Sequence, residues 1–238
     1  GGKLLSRNQI EVSVHAKRSA GPARIAAADA TLAAFASGLG YRVTDAASAD
    51  LILTHALGEA DIDAMRQGAR YLVLADGSVE THRNLRIDPP RAEPPTMPQS
   101  KERARHLGSE TQLPNINLVL RDGTLWRGDW IANFSWIKRS GAFAGLPGGP
   151  LLDVSFDRVV PHHVLTGFRS WEYDGLVDAG VVIGWVNKPA ATIARRRVGK
   201  GGLVATTFRL LNDAPGIDPV AATLFDGLVT TTANLEVD

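Results

Sequence analysis

Two adjacent histidines, His162 and His163, are among the residues of this chain that could carry chemistry, and they follow Pro161. In an extended segment, adjacent side chains point to opposite faces, so both imidazoles could bind one metal ion only at a bend. No Asp or Glu stands at the spacing that a helical metal motif requires. We therefore expect both histidines to lie in a loop, and the sequence predicts neither a metal site nor a cofactor.

Four carboxylates lie close together along the chain: Asp153, Asp157, Glu172 and Asp174. Two carboxylates can hydrolyse a glycosidic bond when their separation suits acid, base or nucleophile roles. The sequence does not fix that separation, and acidic residues of loops usually serve only to contact solvent. A free-standing hydrolase that uses carboxylates or histidines of residues 153–174 is therefore one alternative.

Three tryptophans lie within eleven residues, at Trp126, Trp130 and Trp136, and Asn133 lies among them. An indole beside hydrogen-bonding groups can stack on the apolar C–H face of a sugar ring. These four residues are therefore candidate binding residues, and a sugar-binding module is a second alternative. The indoles could equally pack an irregular segment onto the sheet or bury a partner surface.

The absence of cysteine from the chain excludes disulfide bonds, thiolate metal sites and a cysteine nucleophile. No serine stands in the G-x-S-x-G pattern of a nucleophile elbow. Residues 199–202 (GKGG) lack the Ser or Thr and the spacing of a phosphate-binding P-loop. They precede a predicted strand rather than a helix, so we expect a hairpin turn.

The composition, with 44% hydrophobic and 21% charged residues in 238, favours a single folded domain over residues 1–238. A net charge of +1 provides no concentrated cationic face for nucleic acid. No run of about 18 apolar residues is present, so we expect no membrane span. The start at Gly1-Gly2 lacks the apolar run of a signal peptide and suggests a segment of a longer chain. We expect a soluble bacterial protein of the cytoplasm or periplasm.

Short strands and helices alternate over the first 76 residues. The predicted strands are residues 10–16, 41–44, 50–55 and 71–76, and the predicted helices are residues 23–39 and 59–68. Apolar runs without polar alternation are typical of strands that are buried on both faces of a parallel sheet. This half predicts a doubly wound, mostly parallel α/β sheet of the flavodoxin-like type.

The rest of the chain is less regular. Its proline density predicts a mobile excursion at residues 86–112, followed by an irregular Trp-rich insertion up to residue 150. Beyond it we expect strand-like fragments at 159–160 and 164–165, strands at 181–186, 190–197 and 203–210, and a helix from about 218 to 231. These strands would complete the sheet with an antiparallel edge. The apolar runs 51–54, 71–74, 181–186 and 203–207 should be neighbouring central strands with helices on both faces.

Several motifs carry a family resemblance: Gly128-Asp129-Trp130, Phe134-Ser135-Trp136, residues 146–152 (LPGGPLL), residues 182–189 (VIGWVNKP), Gly199-Lys200-Gly201 with residues 205–210 (ATTFRL), and residues 218–221 (DPVA). With them the chain resembles the class I glutamine amidotransferase-like domains of flavodoxin type. It is more similar to the ancillary domain near the C-terminus of some bacterial glycoside hydrolase family 2 enzymes, the β-galactosidase type. The trimerisation domain of family 42 β-galactosidases shares the same architecture.

The resemblance implies that the amidotransferase triad has been lost. Asp76 or its neighbour stands where that family has its nucleophilic cysteine, and Arg209 and Leu211 stand where it has histidine and glutamate. A carboxylate cannot replace a thiolate that is paired with an imidazole. The resemblance therefore implies a non-catalytic accessory domain of a glycosidase. Its partners would be the catalytic domains of the same or a neighbouring chain, with a role in docking, oligomerisation or shaping of the sugar site.

Overall fold

A computed structural model describes residues 20–76, 116–121, 133–168, 171–183 and 188–235. The strands are β1 (Arg24–Ala27), β2 (Arg42–Val43), β3 (Leu51–Thr54), β4 (Arg70–Leu74), β5 (Asn117–Leu120), β6 (Asn133–Ile137), β7 (His163–Thr166), β8 (Val177–Ile183), β9 (Lys188–Val198) and β10 (Gly201–Thr206). The helices are α1 (Ala30–Gly38), α2 (Glu59–Gln67), α3 (Glu172–Leu176) and α4 (Pro219–Ala233), with 3₁₀ helices at Gly141–Phe143 and Val154–Val159. No helix in these ranges is long and apolar enough to cross a membrane.

All ten strands belong to one mixed sheet. Its parallel half has the strand order β2-β1-β3-β4-β10. Its antiparallel half begins at β9, which pairs with β10, β8 and β7, while β6 adds to β8 and β5 adds to β7. The long strand β9 therefore connects the two halves.

Each face of the parallel half carries its own apolar core. Alternate residues of a strand point to opposite faces, and both sets in β4 are buried. Leu72 and Leu74 pack with α1 and α4, whereas Tyr71 and Val73 pack with α2. We call these two sides the α1–α4 face and the α2 face. The arrangement confirms the predicted α/β architecture with helices on both faces of parallel strands.

Two local sequence signals correctly predicted the start of α4 and the β9–β10 hairpin. Asp218 begins α4 because its carboxylate accepts hydrogen bonds from the backbone N–H of Val220 at 2.8 Å and of Ala221 at 3.4 Å, and Pro219 occupies the first turn. The β9–β10 connection is the expected tight hairpin. Gly199 has φ +60°, and a Cβ there would lie 2.6 Å from the Cα of Arg66, so the turn requires glycine.

The structure corrects several predicted boundaries. The helix predicted over 23–39 begins only at Ala30, because residues 24–27 form β1 and Asp29 caps the helix by accepting from the N–H of Leu32 at 2.9 Å. Residues 203–210 extend only to Thr206 as a strand, and residue 159 ends a 3₁₀ helix. The predicted strand 10–16 and excursion 86–112 lie outside the described residues.

The largest correction concerns the antiparallel part. Residues 51–54, 70–74 and 201–206 are consecutive neighbours as predicted. The run at 181–186 was expected beside them, but residues 181–183 belong to β8, which pairs only with β6 and β9 among the described strands. The antiparallel portion is thus half of the strands rather than an edge. The apolar character of the run cannot decide which strands it pairs with. A central parallel strand and a buried antiparallel strand can be equally apolar.

Candidate functional site

The carboxyl ends of the parallel strands are the first place to look for a site, because doubly wound sheets bind ligands there. His55 comes directly after β3, and Asp76 comes two residues after the end of β4. Thr206 of β10 lies opposite Leu74 of β4 in parallel register. The segment after β10, which includes Arg209, therefore reaches the same edge of the sheet as Asp76.

His55 is held against the neighbouring strand. Its Nδ1 lies 3.2 Å from the carbonyl oxygen of Leu74, which can only accept, so the ring carries its hydrogen on Nδ1. The hydroxyl of Thr54 donates to the carbonyl of Ala56 at 2.7 Å and so fixes the turn after β3. The half-buried imidazole therefore has a defined position at this edge.

Arg209 connects two loops at the same edge. Its Nη1 lies 3.1 Å from Nε2 of His162, its Nη2 donates to the side-chain oxygen of Asn212, and its backbone N–H donates to the carbonyl of Val159. A guanidinium only donates, so Nε2 of His162 is the acceptor in this contact. Arg209 thus acts as a clamp between the loops around residues 159–162 and 209–212.

The three positions matched to the lost triad therefore have different surroundings. Asp76 and Arg209 lie after neighbouring strands, whereas Leu211 is half-buried and packs against the core of the α1–α4 face. A carboxylate and a guanidinium at a sheet edge can hydrogen-bond a polar ligand. They do not make the nucleophile and base pair that amide hydrolysis requires.

The structure describes only part of the predicted tryptophan cluster. Trp126 and Trp130 lie outside the described residues, and Asn133 begins β6. Trp136 lies on β6 opposite Gly180 of β8, and it is half-buried against the core of the α2 face. A Cβ at position 180 would lie 2.9 Å from Cζ2 of Trp136, so the glycine makes room for the indole. Trp136 is at least partly a packing residue.

The four candidate carboxylates are not gathered into one group. Asp153 caps the 3₁₀ helix 154–159 by accepting from the N–H of Ser155 at 2.9 Å, and Glu172 forms an ion pair with Arg196. Asp157 and Asp174 are exposed. His163 begins β7 and His162 precedes it. The described part of the chain contains no group of three His, Asp or Glu residues that could hold a metal ion.

Sequence reasoning missed a buried arginine. Arg196 of β9 is 2% exposed, its Nη1 lies 2.7 Å from Oε1 of Glu172, and its guanidinium carbon lies 4.1 Å from the ring centre of Phe168. Burial lowers the pKa of Arg196, and the adjacent Glu172 opposes that effect. Burial likewise raises the pKa of Tyr173 next to it. A run of three arginines is typical of a surface segment. Only the register of β9 shows that the middle one, Arg196, is buried.

Asp178 is a second buried charge that the sequence did not indicate. It is 5% exposed and lies where the β8–β9 register shifts between Val177 and Ala179. Its Oδ1 accepts from Nη2 of Arg195 at 2.9 Å. Desolvation raises the pKa of Asp178, and the charges of Arg195 and Lys138 oppose the rise.

The structure also reveals an exposed apolar strip on the antiparallel half. Phe134 lies opposite Val182, which lies opposite Pro189, and Trp136 lies opposite Leu151. Directly opposite residues share a face, and so do residues two apart along a strand. We call these five residues the apolar strip. Its only sequence signal is the alternation of Phe134-Ser135-Trp136.

Two comparisons with known proteins complete this description. No protein-family model matches the chain, and no curated protein is significantly similar to it.

Proposed function

We propose that this chain is a non-catalytic α/β module that docks, through the apolar strip, onto the catalytic part of a glycoside hydrolase of the β-galactosidase type. The observation that carries the docking role is the exposure of the strip: Phe134 is 53% and Leu151 is 50% exposed. Contiguous apolar side chains on a surface mark sites of interaction with other proteins.

The geometry of the strip supports docking of a folded domain. A row runs across three strands through Phe134, Val182 and Pro189, and the neighbouring row contains Leu151 and Trp136. Both rows lie on the α2 face, because Trp136 packs against that core. A strip that lies on paired strands offers a preformed surface, so little conformational entropy is lost on association.

The fold supports the family resemblance on which the choice of partner rests. The parallel order β2-β1-β3-β4-β10 corresponds to the order 2-1-3-4-5 of flavodoxin-like sheets. Two of the resembling motifs occupy well-defined positions, since Gly199 to Gly201 form the β9–β10 hairpin and Asp218-Pro219 begins α4. Asp76, Arg209 and Leu211 in the triad positions support a role without amide hydrolysis.

Co-expression with the glycosidase catalytic domain encoded in the same or the adjacent reading frame tests the proposal. We expect the two chains to co-elute in size-exclusion chromatography, and Phe134→Asp to abolish co-elution because it places a charge in the strip. The matched control is Val154→Asp, since Val154 is apolar and 89% exposed but lies outside the strip. Unchanged co-elution of Phe134→Asp, or equal loss in both variants, contradicts docking through the strip.

A sugar-binding module is a second candidate, because Phe134 and Trp136 present two aromatic rings on one face. Aromatic faces stack on the C–H faces of sugars. Titration of galactose or lactose into the purified chain, followed by Trp fluorescence, distinguishes the two functions. Saturable binding that Phe134→Ser abolishes would favour sugar contact over docking.

A further inference from the structure

A cavity of about 560 Å³ lies beside the amino end of β10. It is bounded by β9, by the last turn of α4 and by α3. Its volume falls in the range of roughly 300–1,000 Å³ that is typical of small-molecule sites. The cavity is distinct from the carboxyl edge of the parallel sheet, where Asp76 and Arg209 lie.

The arginines that line the cavity are already engaged within the protein. Arg195 pairs with the buried Asp178 at 2.9 Å, and Arg196 pairs with Glu172 at 2.7 Å. Arg197 also has an interaction partner. Because these cations have partners, the lining does not require an anionic ligand. Its remaining hydrogen-bonding groups therefore decide what the cavity can bind.

Arg195 supplies hydrogen-bond donors in a fixed position. Its Nη2 makes both of its contacts, to the carbonyl of Gly175 at 3.0 Å and to Oδ1 of Asp178 at 2.9 Å. A guanidinium has five N–H donors in a rigid fork, so the two Nη1 hydrogens remain for an uncharged acceptor such as a hydroxyl oxygen. The side chain is 33% exposed and lines the cavity, so these donors can reach a bound molecule.

The last turn of α4 supplies hydrogen-bond acceptors to the same cavity. The hydroxyl of Thr231 donates to the carbonyl of Gly227 at 2.7 Å, so its oxygen can still accept. The side-chain nitrogen of Asn234 donates to the carbonyl of Thr230 at 3.0 Å, which leaves the side-chain oxygen as a second acceptor. The lining therefore offers donors from β9 and acceptors from α4.

We propose that this cavity binds a small neutral polyol, such as a monosaccharide. A hydroxyl group both donates and accepts, so several hydroxyls on one ring match a lining that offers both donors and acceptors. Leu176 and Leu235 line the same cavity and can contact the apolar C–H groups of the ring. The proposal is independent of the docking function, because the apolar strip lies on the α2 face and α4 packs on the other face.

Two pairs of variants distinguish the cavity from other surfaces. Thr231→Val removes an acceptor, and Thr223→Val is its control, because Thr223 makes the same bond on α4, to the carbonyl of Pro219 at 2.7 Å, but does not line the cavity. Gly175→Leu narrows the cavity, and Gly149→Leu is its control. A Cβ at either glycine would meet nothing within 4 Å, so both variants add equal volume without a clash.

Isothermal titration of the full chain with three neutral polyols (glucose, galactose and myo-inositol), with glucuronate and with cyclohexanol, at constant ionic strength, tests the proposal. We expect saturable binding of at least one polyol, no tighter binding of glucuronate, and none of cyclohexanol, which has a six-membered ring but a single hydroxyl. Thr231→Val should weaken polyol binding about fivefold, the effect of one lost hydrogen bond. Gly175→Leu should also weaken it, whereas Thr223→Val and Gly149→Leu should bind as the wild type does.

Four outcomes would overturn the polyol site. The first is that no polyol binds to the wild-type chain while circular dichroism shows it to be folded. The second is that glucuronate binds more tightly than the polyols, which would indicate an anion site. The third is that cyclohexanol binds as well as they do, which would indicate apolar contact alone. The fourth is equal binding by each variant and its control, which would place the polyol outside the cavity. Loss of polyol binding in Phe134→Ser would place it on the apolar strip instead.

Discussion

The parallel and antiparallel halves of the sheet differ in which types of residue they bury and expose. In the parallel half, strands such as β4 are covered by helices on both faces, and the buried strand residues are apolar apart from Thr54 and Thr206. In the antiparallel half, the charged side chains of Asp178 and Arg196 are buried while Phe134 and Leu151 are exposed. The antiparallel half thus buries some charged residues and exposes some apolar ones.

The difference shows which half is complete by itself. A parallel sheet must be covered on both faces, whereas an antiparallel sheet can leave one face open. Buried ion pairs contribute little net stability, but breaking one is costly, so they favour one packing over others. We infer that helices stabilise the parallel half, and that the ion pairs fix the shape of an antiparallel half that presents a surface.

The largest expected effect separates the two halves directly. Phe225 of α4 is fully buried and packs edge-on against Phe35 and Tyr41, with ring centres 5.1 and 5.6 Å away. Phe225→Ala should lower the free energy of unfolding by about 4 kcal/mol, through lost burial and a residual cavity. Phe134→Ala should lower it by only about 1 kcal/mol, since the residue is 53% exposed and so buries about half of its surface. Urea denaturation measures both, and equal losses would remove the distinction between the halves.

The next effect concerns the ion pair of the antiparallel half. Glu172→Gln keeps a hydrogen-bond acceptor but leaves the charge of Arg196 buried without its partner. We expect a loss of about 3 kcal/mol in the free energy of unfolding, near the low end for a broken buried pair, because Glu172 keeps 13% exposure. Asp63→Asn in the exposed Arg66–Asp63 pair is the control and should cost under about 1 kcal/mol. A Glu172→Gln cost as small as the control's would show that this pair does not hold the antiparallel half.

A smaller effect tests how the parallel half is covered. Asp218 caps α4 through the N–H groups of Val220 and Ala221, and α4 packs on the α1–α4 face. Asp218→Ala should lower the free energy of unfolding by about 1 kcal/mol, as for other N-caps. Asp153→Ala removes the cap of a short 3₁₀ helix and should lower the free energy of unfolding by less. Thermal melts of the two variants measure both losses. The reverse order would show that α4 is held by packing alone.

The smallest effect is a pair of opposite pH dependences. Desolvation raises the pKa of Asp178 above its ordinary value of 3.8, so its favourable contribution is complete below that value and is lost as pH rises through the folded pKa. The hydrogen bond from Arg24 lowers the pKa of Asp50, so its contribution is present above 3.8 and is lost as pH falls through the folded pKa. Urea denaturation between about pH 3 and 7 should show the stability of the wild type, relative to Asp178→Asn, falling as pH rises.

Relative to Asp50→Asn, the stability of the wild type should instead rise with pH. Both differences are measured in the same buffers, so each variant is the control for the other. Slopes of equal sign would mean that the two carboxylates have similar surroundings, which would contradict the contrast between the halves.

Much of the parallel half could be predicted from sequence. The apolar runs at residues 51–54 and 71–74 identified buried strands, and Asp218-Pro219 identified the start of α4, because these signals are local. The helix predicted from residue 23 was wrong at its start. Ala-rich residues 24–27 have helix propensity, but pairing with β2 and β3 outweighs it.

The candidate sites were less predictable. Of the three tryptophans in the predicted site, the described residues contain Trp136, which packs over Gly180 and has neighbours in the apolar strip that no local pattern indicated. The matched triad positions Asp76 and Arg209 do reach one edge of the sheet, because a parallel register brings the ends of β4 and β10 together. That register is a long-range property, which the residues around either position do not encode.

The strands β3, β4 and β10, the helices α2 and α4, the hairpin at Gly199 and the absence of any thiol chemistry followed from the sequence alone, since each depends on residue type or on a few neighbours. Tertiary structure alone decided which of three consecutive arginines is buried and that Phe134 of β6 remains exposed. Side chains alternate between faces with a period of two, so one register assigns every residue of a strand to inside or outside. The pairing of β9 with its chain neighbours β8 and β10, including the register shifts between Val177 and Gly180, sets that register.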